Sequence, residues 1–249
     1  MKLLIDIGNT RLKRAVWDGR SLRDAHAIAH DESRTIEFDA LWKGIENIES
    51  AWIASVASPA LDAEIADSLR ARFGCPLSFV RSQARACGVT SAYPRPGDLG
   101  VDRFLSVIAA HVMEKRASVV VSCGTALTLD ALTADGTHLG GLIVPGMRLM
   151  HEVLRKGTAR LGEVQAARVV EIADNTADAI ESGIQLAAVA VIERFVARAA
   201  VRMGAKPVVI LSGGDATQVS ATLAIPHRIE TDVVLRGLAI FADSGTLAG

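Results

Sequence analysis

Two short stretches of this chain bring together residues able to handle a phosphate. In the first, Asp6-Ile7-Gly8-Asn9-Thr10 runs into Arg11-Leu12-Lys13. The apolar run Leu3-Leu4-Ile5 leads in and has the composition of a buried strand; Leu12, Ala15, Val16 and Trp17 form the strand that leaves, closed by Asp18-Gly19. Gly8-Asn9 is a turn pair able to take positive φ. Amides at such a bend point at oxygens, a carboxylate at its rim holds a metal or a water, and a lysine just beyond supplies positive charge. These are the parts of a nucleotide-phosphate site, and equally those of an ordinary N-terminal hairpin.

The second stretch repeats the grammar. Val119-Val120-Val121-Ser122-Cys123-Gly124-Thr125-Ala126 continues into Leu127-Thr128-Leu129-Asp130-Ala131-Leu132, and Asp135-Gly136 ends it. Two strand–turn–strand units, each opening one half of the chain, predict a duplicated domain with two phosphate loops facing each other across a cleft.

Acceptor chemistry has a candidate between the copies. Tyr93-Pro94-Arg95-Pro96-Gly97-Asp98-Leu99-Gly100 is a rigid, backbone-rich loop. A helix follows, with Val101, Leu105, Ile108 and Val112 on one face, so Asp102 and Arg103 fall in its first turn. Asp102 there is either a general base for a substrate hydroxyl, with Arg103 fixing an acidic group of the same molecule, or a carboxylate stabilised by the helix N-terminus. Gly140-Gly141 and Pro145-Gly146 predict close backbone approach to a ligand or another segment, or simple turns. Gly213-Gly214, after the carboxyl end of a strand, reads as a floor beneath a nucleotide base or ribose, or as a strand–helix turn. His26 and His30 sit four apart without a strong helix around them, which favours a surface reading over a metal.

The elements that must position these groups alternate between strand and helix. Ile28, Ile36 and Phe38 suggest a third strand, and Leu41, Trp42 and Ile45 a short helix. Trp52–Val56 and Leu77–Val80 read as strands. Between them Ser58-Pro59 starts a helix with a buried stripe of Leu61, Ile65, Leu69 and Phe73, ended by Gly74. Met147–Leu154 reads as helical. Asn175 or Thr176 caps a long amphipathic helix carrying Ile180, Ile184, Ala188, Val191 and Phe195, and Gly183 inside it predicts something packed against it. Pro207–Leu211 is a buried strand, and Val233–Phe241 a final helix. The pattern is α/β, divided near 1–115 and 116–249.

Bulk properties set the class. The chain has 249 residues, 50% hydrophobic and 22% charged, with a net charge of −1. Basic residues are scattered, against a nucleic-acid or anionic-membrane partner. No apolar run reaches transmembrane length, and the N-terminus does not read as a signal peptide. Cys75, Cys87 and Cys123 form neither a disulfide framework nor a zinc set, which fits a reduced cytoplasm. P-loop, dinucleotide-fingerprint and Gly-x-Ser-x-Gly motifs are absent.

In the order and spacing of its motifs the chain resembles the type III pantothenate kinases of the actin/hexokinase/Hsp70-like ATPase superfamily, over essentially its whole length. The resemblance rests on Asp6–Thr10 with Lys13, Gly100–Arg103, Gly124-Thr125-Ala126 with Thr128 and Asp130, Gly140-Gly141, Pro145-Gly146, Asn175-Thr176 and Ser212-Gly213-Gly214. It implies two duplicated ribonuclease H-like (actin-like ATPase) domains with a cleft between them. It implies transfer of the ATP γ-phosphoryl to the terminal hydroxyl of pantothenate, the first step of coenzyme A synthesis, insensitive to coenzyme A feedback. Asp6, Ile7, Gly8, Asn9, Thr10, Arg11, Leu12, Lys13 and Thr125 would contact ATP, with Asp6 and Asp130 available to magnesium. Tyr93, Gly100, Val101, Asp102, Arg103 and Thr176 would contact pantothenate, and Asp102 would accept the hydroxyl proton. A cytoplasmic homodimer is implied, its interface helping to shape the substrate pocket.

One position departs from the pattern. Ser122 stands where the family usually has an Asp associated with a potassium or ammonium ion, and a neutral hydroxyl binds a bare cation far less well. Two other readings share the fold: a superfamily kinase for another small hydroxyl compound, and a non-catalytic regulatory accessory factor. Retention of Lys13, Asp102 and Arg103 speaks against the latter.

Overall fold

The computed structural model of the chain describes residues 1–30, 36–157 and 167–245. In chain order the first elements are β1 (Lys2–Ile7), β2 (Arg11–Trp17), β3 (Leu22–Ala29), α1 (Phe38–Leu41), β4 (Ser50–Ser55), α2 (Pro59–Phe73) and β5 (Leu77–Phe79). There follow β6 (Arg85–Ala86), β7 (Val89–Thr90), a 3-10 turn (Pro96–Asp98), α3 (Val101–Glu114), β8 (Ser118–Cys123), β9 (Ala126–Leu132) and β10 (His138–Pro145). The last are α4 (Met147–Gly157), α5 (Thr176–Met203), β11 (Val208–Ser212), α6 (Ala216–Ser220), β12 (Arg228–Ile229) and α7 (Val233–Asp243).

Contacts divide the chain into two units. The first joins Met1–Met113 and Gly136–His138 to the C-terminal segment from Asp232; the second holds Glu114–Asp135 and Leu139–Thr231. Sequence spacing suggested a single cut after residue 115. The C-terminal helix instead returns to the first unit, because Gly237 lets the α7 backbone lie against α3: a Cβ there would stand 2.0 Å from the Leu105 carbonyl oxygen. Phe241 then packs edge-on against Phe104 and Trp52, with ring centroids 6.3 and 6.4 Å away.

In the first unit β1 is central in a sheet of order β3-β2-β1-β4-β5. It pairs antiparallel with β2 and parallel with β4. Leu3, Ile5 and Ile7 face a core with Leu12, Trp42, Ile53, Ile65 and Leu69, while Leu4 is fully buried on the opposite face. Burial on both faces explains why β1 reads as a continuous apolar run rather than an alternation. Helix α2 starts as expected, with Ser58 accepting the Leu61 amide and Pro59 in its first turn, and it ends on left-handed Gly74. Phe38 begins helix α1 instead of extending a strand, and it stacks on Trp42 at 6.5 Å. Val112 is 40% exposed, because the buried stretch of α3 ends at Ala110.

The second unit repeats the order as β10-β9-β8-β11-β12. Val119, Val121, Cys123, Leu127 and Leu129 face a core built with Ile184, Ala188 and Ile192 of α5. Among the described residues no helix is long and apolar enough to cross a membrane.

Candidate active site

Asp6 is the next-to-last residue of β1 and stands directly across from Lys13 on β2. Cross-strand partners share a face of the sheet, so the carboxylate and the ammonium emerge together beside the bend. The bend is tight: the Gly8 amide donates to the Arg11 carbonyl at 2.9 Å. Neither Gly8 nor Asn9 takes positive φ. Gly8 matters for space instead, since a Cβ would stand 3.3 Å from the Arg11 oxygen. Buried His30 closes the bend from one side, its Nε2–H donating to the Gly8 carbonyl at 2.8 Å. His30 is thus a buried residue tied to the bend rather than a surface one. Its signal was invisible in sequence because its partner is a backbone atom 22 positions away. On the other side the Val56 amide donates to the Ile7 carbonyl at 3.0 Å.

Of the acceptor residues in the same unit, Asp102 acts on this bend through its charge. The Asp6 carboxyl is pushed up to about 7, first by burial and next by the charge of Asp102; Asp232 adds to this and Lys13 opposes it. Asp102 occupies the first turn of α3, as its spacing predicts, and its Oδ1 accepts the Arg103 amide at 2.8 Å. Gly100 makes room for that geometry, for a Cβ there would stand 2.7 Å from Asp102 Oδ1. Arg103 is buried, and its Nη1 donates to the Tyr93 hydroxyl at 3.0 Å. The Tyr93 ring in turn stacks on His138, with centroids 6.1 Å apart and an interplanar angle of 2°. A cavity of about 680 Å³ lies against α2, lined by Ser55, Pro59, Asp62, Arg70, Leu99 and Val101 among others; Asp6, Lys13 and Asp102 are not among its lining residues. That volume suits a small metabolite.

The second bend is clamped by backbone. The Gly124 amide donates to the Ala126 carbonyl at 3.1 Å, and the Gly146 amide to the Thr125 carbonyl at 2.9 Å. A Cβ on Gly146 would stand 2.0 Å from the Gly124 oxygen, and one on Gly213 (φ +96°) would stand 2.2 Å from the Cys123 oxygen. Gly146 and Gly213 therefore serve close approach of backbone to backbone, which the density of glycines suggested for Gly146, whereas Gly140 takes positive φ and a Cβ on it would meet none of the described residues within 4 Å. Ser122 pairs with Thr128 on one side and Ser212 on the other. Asp130 is buried two residues further along β9. Burial, then the charge of Asp215, pushes the Cys123 thiol up to about 12, so it remains a thiol.

The first unit thus assembles Asp6 through Lys13, Tyr93 and Gly100 through Arg103, while Ser122, Thr125 and Thr176 belong to the second. Thr176 opens α5 behind Asn175, whose side chain accepts the Asp178 amide at 2.9 Å. It borders an apolar groove of about 870 Å³ with Met150, Leu154, Ile180 and Gly183. Among the described residues nothing lies within 4 Å of a Cβ built on Gly183, contrary to the packing that its helical position suggested. Asp232 and His138 escaped notice in the sequence, since neither sits in a recognisable motif.

A family model described as type III pantothenate kinase matches residues 2–198. A type III pantothenate kinase of Chromobacterium violaceum is 41% identical over 246 residues, covering 98% of this chain and 100% of that one. Among solved structures, a conserved putative Baf family transcriptional activator from Campylobacter jejuni aligns with a TM-score of 0.62 at 19% identity, covering 97% of this chain and 98% of that chain. A ROK hexokinase from Thermus thermophilus aligns with a TM-score of 0.50 at 14% identity, covering 96% and 97%. At those identities the structural likeness speaks for the two-domain actin-like fold alone.

Proposed function

The chain belongs to the type III pantothenate kinase family, and on that premise we propose that it transfers the γ-phosphoryl group of ATP to the terminal hydroxyl of pantothenate, opening coenzyme A synthesis. The observation that carries this reading is the coupling of Asp6, Lys13 and Asp102 in one electrostatic site of the first unit. Phosphoryl transfer needs positioning and charge neutralisation more than covalent chemistry. Lys13 supplies positive charge to the phosphates, and the amides of residues 8–13 and Thr125 supply donors. Asp102 orients the acceptor hydroxyl and takes its proton as the new O–P bond forms and ADP leaves. Arg103 and Tyr93 hold the acid end of pantothenate, with Gly100, Val101 and Thr176 completing its contacts.

The donor set also fits magnesium. Asp6 and Asp130 are the carboxylates available to it, and both are hard oxygen donors. One or two carboxylates completed by substrate phosphates is how Mg²⁺ is ordinarily held. Bound there, it would supply charge neutralisation to the phosphates of ATP. Ser122 offers potassium or ammonium a poorer ligand than the Asp usual in the family, so the place of a monovalent ion in the reaction is decided by comparing rates in different salts. Exposed Val153 and Leu154 beside the α4/α5 groove support a homodimer, with a solution mass of twice 26.3 kDa. Scattered basic residues support the absence of a nucleic-acid partner, and the chain's soluble composition a cytoplasmic enzyme without membrane attachment.

Release of ADP by the purified protein, with ATP, Mg²⁺ and pantothenate and with sodium or potassium as the monovalent ion, tests the reading. Pantothenate-dependent ADP is expected. Release with a sugar but none with pantothenate would reassign the acceptor, and ATP binding without any transfer would turn the reading toward a regulatory factor.

A further inference from the structure

Asp232 heads α7 in the first unit with φ +56°, in the left-handed region that few residues other than glycine occupy. An aspartate at a helix N-terminus ordinarily folds its carboxylate back onto amides of the first turn. Asp232 caps none of them. Only its backbone carbonyl joins the helix, accepting the Arg236 amide at 2.9 Å. Its carboxylate reaches instead to Lys13 Nζ at 3.3 Å, across 219 positions of sequence. Lys13 stands directly opposite Asp6 in the β1/β2 register, yet its ion pair is with Asp232.

We propose that Asp232 is a positioning residue for the phosphate-binding lysine, holding the Lys13 ammonium to one side of Asp6 so that the charge is set for the triphosphate while the Asp6 carboxylate stays open. The inference rests on the reading of Lys13 as an ATP contact. It also accounts for the two local irregularities together: an ordinary backbone and a regular cap would turn the carboxylate toward α7 and away from Lys13. An uncommon backbone conformation kept at a site of charge is how such positioning is commonly built.

Steady-state kinetics on the full chain test this with Asp232→Asn, Asp232→Gly, Lys13→Met and the Lys13→Met/Asp232→Asn double variant. The glycine variant removes the carboxylate while suiting the left-handed backbone, so its melting temperature is expected to equal or exceed that of the parent, which separates positioning from folding. Both Asp232 variants are expected to raise KM for ATP by about five- to tenfold while KM for pantothenate stays within about twofold, the signature of a group acting on one substrate. In the Lys13→Met background the Asp232 substitution is expected to add nothing, because the pair acts as one unit. Equal changes in both KM values, an unchanged or lowered KM for ATP, or additive losses in the double variant would overturn the inference and leave the ATP role of Lys13 standing. If Lys13→Met itself leaves KM for ATP unchanged, the reading of Lys13 falls, and this inference with it.

Discussion

The two sheets share one strand order and differ in what they set beside the bend. In the first unit the row across the central strand is Lys13, Asp6 and Ala54. At the corresponding places in the second it is Thr128, Ser122 and Ser212. One row carries a cation and a carboxylate that cannot both be ignored by their surroundings; the other is three neutral hydroxyls. The supports differ in the same sense. The His30 side chain and the Val56 amide hold the first bend, while Gly146 and Gly213 press backbone directly onto the second. The two sheets keep one frame, and the charged pair beside the bend occurs in the first.

The largest effect that would test this division is expected at Asp102. Asp102→Asn should lower turnover by about 10²–10⁴-fold, the usual contribution of a general base, with nucleotide affinity retained. Turnover at the parental level would remove Asp102 from the reaction and take the chemistry out of the first unit.

The glycines sharpen the contrast in support. Gly213→Ala adds a Cβ 2.2 Å from backbone at φ +96°, whereas Gly8→Ala adds one at 3.3 Å with no positive φ. Denaturant unfolding should show a loss of about 2–4 kcal/mol for the former and under about 1 kcal/mol for the latter. Equal losses would mean that the second bend is no more rigidly clamped than the first.

A pH series isolates the charged row. Asp6 titrates near 7 in the folded chain, against 3.8 for the free group, because burial and Asp102 disfavour its charge. A raised carboxyl pKa contributes stability that is fully present below the unfolded value and lost as pH rises through the folded one. In metal-free buffer, Asp6→Asn should therefore gain on the parent as pH increases from about 4 to 8, its melting temperature rising above the parent's by a few degrees. A gap that stays constant with pH would show that Asp6 is not the strained group.

The smallest change is expected from writing charge into the neutral row. Ser122→Asp should create or strengthen activation by potassium over sodium, since a carboxylate is a far better ligand for a bare cation than a hydroxyl. Identical rates in both salts for parent and variant would dissociate residue 122 from any monovalent-ion effect.

Much of this was legible in the order of residues. Local rules act within a few positions, so the β1 and β8 strands, the Ser58-Pro59 helix start, a cap at Asn175 or Thr176 and the placement of Asp102 in the first turn of α3 were readable, and the structure puts the cap at Asn175. The acidic and basic groups of the first bend were visible because their spacing is that of a hairpin. His30 was not, and neither was the tie between Asp232 and Lys13, because nothing local signals a partner that lies 22 or 219 positions away.

Sequence alone determined the strands, the bends and the types of group they carry, for these follow from periodicity and turn chemistry over a handful of neighbours. Tertiary structure decided which unit α7 joins, that Gly146 and Gly213 face backbone while Gly183 meets none of the described residues, and which carboxylate receives Lys13. Those outcomes depend on contacts closed through space, where burial and competing charges are weighed together and no stretch of chain contains both sides of the balance.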